Sequence, residues 1–250
     1  MGGAHYYRPD TGELIDGDLR LARKLGAVPS PTTVLSMLGS FGLLEYFKKQ
    51  IFEATATTPR QLGWSDETYY EEVKRFADEH GKAARDRGGD FHDLIQQFHL
   101  STMGRAKPPI VPADLAQQYD AYLRWYETNV ERSILVEEVV FGDGYGGRLD
   151  HHCLLKDGRQ MVTDAKTQFL KPGKTFNKYN SWALQLGAYG GACTVRVDGL
   201  MSIIVASNEP VVLQAHVWPK PVAYYHGLFM GLLAIWCEEK GYFPNHSEAS

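Results

Sequence analysis

The chain has 250 residues, 44% of them hydrophobic and 22% charged, with 30 acidic against 26 basic side chains for a net charge of −4. That balance belongs to a folded protein with a core and excludes a disordered or collagen-like chain, and the length suits one domain with an elaborated helical part. It also excludes a surface that is basic throughout, while leaving room for a locally basic cleft.

No apolar run approaches the roughly 18 to 20 residues that cross a bilayer, and Met1 to Tyr6 lacks the charged start and apolar stretch of a signal peptide, so the expected compartment is the cytoplasm, with no membrane partner. Cys153, Cys193 and Cys237 are far apart and form no C-x-x-C pair. They read as buried thiols, with neither a disulfide framework nor a cysteine metal cluster.

In chain order, the first thirty residues read as an extended lead-in. Ser30 before Pro31 is an N-cap and N1 pair, and Val34, Leu35, Leu38, Leu43, Leu44, Phe47 and Ile51 keep helical spacing past two glycines, which predicts one or two buried helices. Ser65 opens a second helical segment reaching about His99, with a bend or interruption expected at Gly88-Gly89. Near its end Phe91, Leu94, Ile95 and Phe98 form a core-facing stripe, whereas His99 is expected on the surface. Pro112 opens another helix, with Leu115, Tyr119, Tyr122, Leu123, Tyr126 and Val130 on one side, ending near Arg132.

The texture then changes. Residues 134–140, 145–155 and 160–167 are β-rich runs separated by Gly142-Asp143-Gly144 and Asp157-Gly158, which predicts a three-stranded antiparallel meander. A helix from about Lys178 to Ala192, two apolar strands over 200–206 and 211–217 expected to be buried on both sides, and a long apolar helix over 221–241 complete the chain. The fold class is α/β, a mixed central sheet flanked by helices with a helical N-terminal part. One domain over 1–250 is expected, helical over 1–132, with the sheet and a Q-x-x-x-Y helix over 133–217 and a terminal helix and tail over 218–250.

The chemistry-bearing stretches are Tyr145-Gly-Gly-Arg-Leu-Asp150, Met161-Val-Thr-Asp-Ala-Lys-Thr167 and Gln185-Leu-Gly-Ala-Tyr189. Strand alternation puts Asp164 and Lys166 on one face, about 6 to 7 Å apart, with Ala165 on the other. If the hairpin brings Asp150 beside them, two carboxylates and the Ala165 carbonyl converge on a hard divalent cation such as Mg²⁺ or Mn²⁺, and the lysine stays free for catalysis. Trp182, Gln185 and Tyr189 fall on one helical stripe that faces the same cleft. An acidic residue two before a lysine carries little by itself, since Glu72-Val73-Lys74 and Glu238-Glu239-Lys240 share the spacing in predicted helices. What distinguishes Asp164-Ala165-Lys166 is its strand, fourteen residues after Asp150 and followed nineteen residues past Lys166 by Gln185. Glu137 or Glu138 could assist the cleft, one of them at least being an exposed edge charge. The adjacent His151 and His152 point to opposite faces and make a poor zinc pair.

These motifs resemble the PD-(D/E)XK nuclease superfamily, and within it the RecB-like group that includes phage exonucleases and the mitochondrial genome-maintenance exonuclease. The resemblance runs from about Pro29 to Val217 and takes in Pro29-Ser-Pro-Thr-Thr-Val-Leu35, Arg87-Gly-Gly-Asp-Phe-His92, Gly-x-x-Gly-Arg-x-Asp ending at Asp150, Asp164-Ala-Lys-Thr167 and Gln185-x-x-x-Tyr189. It implies a restriction-endonuclease-like fold and a divalent-metal-dependent DNA exonuclease, in which the cation acidifies water and neutralises charge on the phosphoryl oxygens. The residues implied are His92, Asp150, Asp164 and the Ala165 carbonyl on the metal, Lys166 in catalysis, and Gln185 and Tyr189 beside them. Arg148, Thr167, Lys171, Lys174 and Lys178 are the candidate DNA contacts. The four cysteines of the iron-sulfur branch are absent, so no cluster is expected. Ala stands at position 165 where the group often has an aromatic. A recombination or replication protein partner fits the group, and both monomeric and ring-forming relatives exist. Two other readings are a non-cleaving nucleic-acid-binding or partner-recruiting module on the same fold and a PD-(D/E)XK endonuclease.

Overall fold

In the computed structural model, which describes residues 4–39 and 41–244 and the side chains of these except 41–47, 50 and 79–86, the first thirty residues are folded rather than extended. They form β1 (His5–Tyr7), β2 (Leu14–Asp16), α1 (Leu19–Leu25) and β3 (Val28–Pro29), with the strands antiparallel in the order β2-β1-β3. Gly12 and Gly26, at φ 72° and 62°, supply the left-handed turns that fold so short a stretch back on itself. Asp18 caps α1 by accepting from the Leu21 amide at 2.9 Å. Ser30 caps α2 (Pro31–Leu35) as its position before a proline predicts, accepting from the Thr33 amide at 3.1 Å.

The later elements are α3 (Phe41–Thr57), α4 (Asp66–Thr102), α5 (Ala116–Asn129), β4 (Val130–Gly142), β5 (Tyr145–Leu155), β6 (Gln160–Gln168), α6 (Asn180–Ala192), β7 (Gly199–Ala206), β8 (Leu213–Val217) and α7 (Val222–Lys240). The contacts divide the chain into two units, one of residues up to Met37 together with those from His92 onward, the other Leu38–Phe91.

The smaller unit holds α3 and the first part of α4. Ser65 accepts from the Thr68 amide at 3.1 Å, and the Tyr69 hydroxyl donates to the Thr55 carbonyl at 3.3 Å. Ile51, expected in a core, is exposed, and the side chains of Leu43, Leu44 and Phe47 lie outside the described residues. Helix α4 runs unbroken through Gly88-Gly89, where an interruption was expected. An interior glycine costs about 1 kcal/mol, which a helix of 37 residues absorbs.

The larger unit is built on a five-stranded sheet in the order β4-β5-β6-β7-β8, antiparallel except for the parallel pair β6–β7. Gly144 and Gly158, at φ 76° and 88°, close the two hairpins. Helix α6 provides the crossover that a parallel pair requires. All eight residues of β7 are buried, but β8 is the edge strand and is partly exposed along its length, so only one of the two late strands is covered on both faces. The outer edge of β8 pairs with no further strand among the described residues. Val130, expected on the helix, begins β4 instead.

Helices cover both faces of the sheet. Leu149, Val162 and Leu200 pack with Ala183 and Leu186 of α6 and with Tyr225 of α7. A second cluster joins Tyr6 and Ile15 of the N-terminal sheet to Ala188, Phe229 and Trp236. Thr163, the alternate neighbour of Val162, points the other way and meets His151 at 2.9 Å, and the His151 ring stacks on that of His99 at 3.8 Å. His99 is therefore buried, contrary to expectation, because α5 closes over the end of α4 and brings the Tyr122 hydroxyl to its Nε2 at 3.0 Å. The architecture is α/β, a mixed sheet flanked by helices. Among the described residues no helix is long and apolar enough to cross a membrane.

Candidate metal centre

The β4–β5 hairpin places Asp150. Its strand carries two glycines directly after Tyr145, where neighbours press on it: a Cβ at Gly146 would lie 2.5 Å from the Phe141 ring, and one at Gly147 would lie 2.7 Å from Pro31 and 2.9 Å from the Tyr189 ring. The pairing of β5 with β6 runs from Leu154↔Gln160 to His151↔Thr163 and stops there. Asp150 and Asp164 come next in register, immediately past the last pair. Beyond that point β5 continues along β4 and β6 continues along β7, so the two strands part and a carboxylate stands on each side of the opening.

His92, on α4, reaches the same opening. Its Nε2 lies 3.3 Å from Asp164 Oδ1 and 3.9 Å from Asp150 Oδ2. One ligating atom from each of the three falls within 4.8 Å of the others, a spacing that could hold a metal ion. His92, Glu137, Asp150, Thr163 and Ala165 line a cleft of about 10 Å³, the scale of a single water or ion. The Lys166 ammonium pairs with Asp164 Oδ2 and lies 5.9 Å from the centre of the Trp182 ring. Gln185 Nε2 is 3.4 Å from the Tyr189 hydroxyl, which is buried beside the carboxylates. The stripe of Trp182, Gln185 and Tyr189 on α6 therefore faces the opening, as its spacing predicts.

The four ionisable groups settle one another's charge. Burial alone would push the Asp164 carboxyl up, but Lys166 and His92 outweigh it and hold the group below the usual carboxylate range. The Asp150 carboxyl goes the other way, raised by burial and then by the charge of Asp164. The hydrogen bond to Asp164 raises His92 against its own burial. Burial would lower Lys166, yet Asp164 and Asp150 more than offset this, so it keeps its proton. The protons on His92 and Asp150 thus stand where a divalent cation would bind, and two carboxylates with an imidazole nitrogen form a donor set fit to receive one.

The expected DNA-contacting residues are dispersed. Arg148 is exposed and lies 4.0 Å from Glu137, and Thr167 is half-buried further along β6. Lys171 and Lys174 follow β6 on a loop and line an open cavity of about 370 Å³ with Phe169 and Asn177. Lys178 precedes α6 and acts electrostatically on His216 of β8. No described contact joins these three lysines to the cluster.

Two further groups belong to the surroundings of the site. Glu137 has a left-handed backbone, φ 55°, unusual for a side chain with a Cβ, and its half-buried carboxyl is raised by burial. Counting back along the hairpin from the Gly142↔Tyr145 pair sets Glu137 opposite Asp150, so its place was legible in the sequence. Glu138 is the exposed one, paired with Arg105 at 2.8 Å. Tyr7, on β1, lies near Arg148 and Asp150, and no sequence signal marks it.

No protein-family model matches the chain, and no curated protein does. Among solved structures, one described as "Crystal structure of SSO0001" is similar at 12% identity over 79% of this chain and 88% of that one, with a TM-score of 0.29. That likeness is too low to carry an argument about the site.

Proposed function

We propose that this chain is a divalent-metal-dependent DNA exonuclease of PD-(D/E)XK type, acting on DNA ends in recombination, repair or phage genome processing. The observation that carries the reading is the meeting of His92, Asp150 and Asp164 at the parting of β5 and β6, with the protonated Lys166 alongside. Mg²⁺ and Mn²⁺ are the cations proposed, with the imidazole nitrogen tilting the set toward Mn²⁺. When bound, such a cation acidifies water and neutralises charge on the phosphoryl oxygens.

The chain's own groups have definite roles in this reading. Asp150, Asp164 and His92 hold the cation, with the Ala165 carbonyl as a further oxygen donor. Lys166 acts as a fixed positive charge and hydrogen-bond donor toward the attacking water or the phosphoryl oxygens, since a protonated amine cannot serve as a base. Trp182 lies beside the lysine, and Tyr189, held by Gln185, stands near the carboxylates from α6. Glu137 adds negative charge opposite Asp150. Lys171, Lys174 and Lys178 supply a cationic approach for the DNA backbone that a net charge of −4 does not provide globally. Preference for ends rests on the resemblance of the motifs to RecB-like exonucleases.

The test is digestion of end-labelled linear single- and double-stranded DNA beside closed circles, in Mg²⁺, Mn²⁺ or EDTA, with wild type and Lys166→Ala. Loss of label from linear DNA only, abolished by EDTA and by the substitution, is expected. Cleavage of circles would replace the exonuclease by an endonuclease, and DNA retention without cleavage in either metal would leave a binding module.

A further inference from the structure

Helix α7 is apolar in every direction, with no Asp, Glu, Lys or Arg from Val222 to Cys237. A helix of that character is ordinarily covered on all sides. Here Phe229, Leu233 and Trp236 enter the core, while Tyr224, Leu228 and Ile235 on the opposite side are 49%, 50% and 59% exposed. Gly227, Gly231 and Ala234 share that exposed side, so steps of three and four residues trace a continuous apolar seam along the helix.

We propose that this seam is the surface through which two copies of the chain associate, as an antiparallel pair of α7 helices related by a two-fold axis at Gly231. The seam is complementary to itself. Gly231 is the midpoint of Val222–Lys240, and reversal about it sets Ile235 against Gly227, Leu228 against Ala234, and Tyr224 against Glu238. Ile235 and Leu228 each meet a small residue, as ridges packing into grooves require, and Tyr224 meets the carboxylate of Glu238. A Cβ built at Gly227 or Gly231 meets nothing within 4 Å, so the backbone there is open to close approach. On the seam itself Lys220 stands at one end and Glu238 at the other, with Lys240 and Arg23 behind the glutamate on the far side of the helix, so the antiparallel arrangement brings Lys220 toward the second copy's Glu238 twice. Beside Glu238 lies a largely apolar cavity of about 510 Å³ lined in part by Met230, Ala234 and Phe243, with Asp143 at its edge. That is where the second copy's Tyr224 arrives. A lipid surface is the poorer occupant, because insertion of the seam would carry the Glu238 carboxylate toward anionic headgroups. Closed two-fold dimers are also the commonest assembly of identical chains.

The test is sedimentation equilibrium of the full chain, with variants on the seam and thermal unfolding in parallel. Twice the monomer mass at about 10 µM is expected for wild type. Ile235→Glu and Leu228→Glu should yield monomers with an unchanged thermal midpoint at concentrations where wild type is also monomeric. Lys220→Glu should weaken the pair roughly threefold to tenfold, and combining it with Glu238→Lys should restore it. Gly231→Cys should give an intermolecular disulfide under mild oxidation. A wild type that stays monomeric at about 100 µM, whether or not it binds anionic vesicles, would overturn the proposal. So would a dimer that survives Ile235→Glu with no disulfide at Gly231→Cys. None of these readouts involves DNA, so the result stands apart from the nuclease reading.

Discussion

Lys166 keeps its proton beside the buried Asp164 because Asp164 and Asp150 outweigh the burial that would remove it. Its removal separates chemistry from metal binding. Lys166→Ala should lower DNA cleavage by about a hundredfold or more, while Mn²⁺ affinity by titration calorimetry is unchanged or tighter, since a competing positive charge has left Asp164. Equal loss of both would mean that the lysine only props up the site. Asp164→Asn should instead abolish Mn²⁺ binding, because the buried carboxylate is the group that both His92 and Lys166 address. At Gly147 the fault is steric. A methyl group there meets Pro31 and Tyr189 at under 3 Å, so Gly147→Ala should cost about 1 to 3 kcal/mol by urea unfolding. A substitution that left stability untouched would show that α6 does not press on the strand as described.

At the scale of elements, the buried contact between α4 and β5 makes stability depend on pH. Burial, followed by the nearby His151 and His92, holds His99 well below its ordinary value of 6.5. The groups packed against it are Tyr122, Tyr126 and His151. Below about pH 6.5 the unfolded chain takes up a proton that the folded chain refuses, so stability falls as pH falls through that range. His99→Gln should make the dependence of unfolding free energy on pH between 7 and 5 shallower, leaving the share due to the other histidines that burial holds low, His151 and His152 among them, and an unchanged slope would refute the account. By contrast Gly89→Ala, in open space on α4, should stabilise the protein by up to about 1 kcal/mol.

What could be read in advance follows the range of the interactions involved. Alternation, turn glycines and caps are local, which is why Ser30, the two hairpins and the shared face of Asp164 and Lys166 were legible. The parting of β5 from β6 is not local, because it depends on β4 and β7 each holding one strand. His99 was misplaced for the same reason: its face of α4 looks like surface until α5 is seen to cover it. His92 entered through the resemblance of its motif, Tyr7 had no signal at all, and β8 looked buried because its sequence is apolar while its position at the sheet edge is topological.

For the whole molecule, a cation that binds only the folded chain must stabilise it. Mn²⁺ at about a hundred times its dissociation constant should add about 2.7 kcal/mol, seen as a higher thermal midpoint that EDTA reverses and that Asp150→Asn lacks. An equal shift in Asp150→Asn would place the cation elsewhere. The protein's charge of −4 implies that any attraction for DNA is local, so retention of DNA should fall with added salt by only the few phosphate contacts that the Lys171, Lys174 and Lys178 loop can make.

The two strands beside the candidate metal centre are each anchored on the outer side, β5 by the long hairpin with β4 and β6 by the parallel ladder to Ala206. With both strands held in this way, the distance across the gap should be set by the sheet more than by the occupant. A gap of fixed width selects by ionic radius. Mg²⁺ and Mn²⁺ draw their oxygens to short distances, about 2.0 to 2.2 Å, whereas Ca²⁺ needs about 2.3 to 2.6 Å and would have to lever apart two strands that the rest of the sheet holds in place.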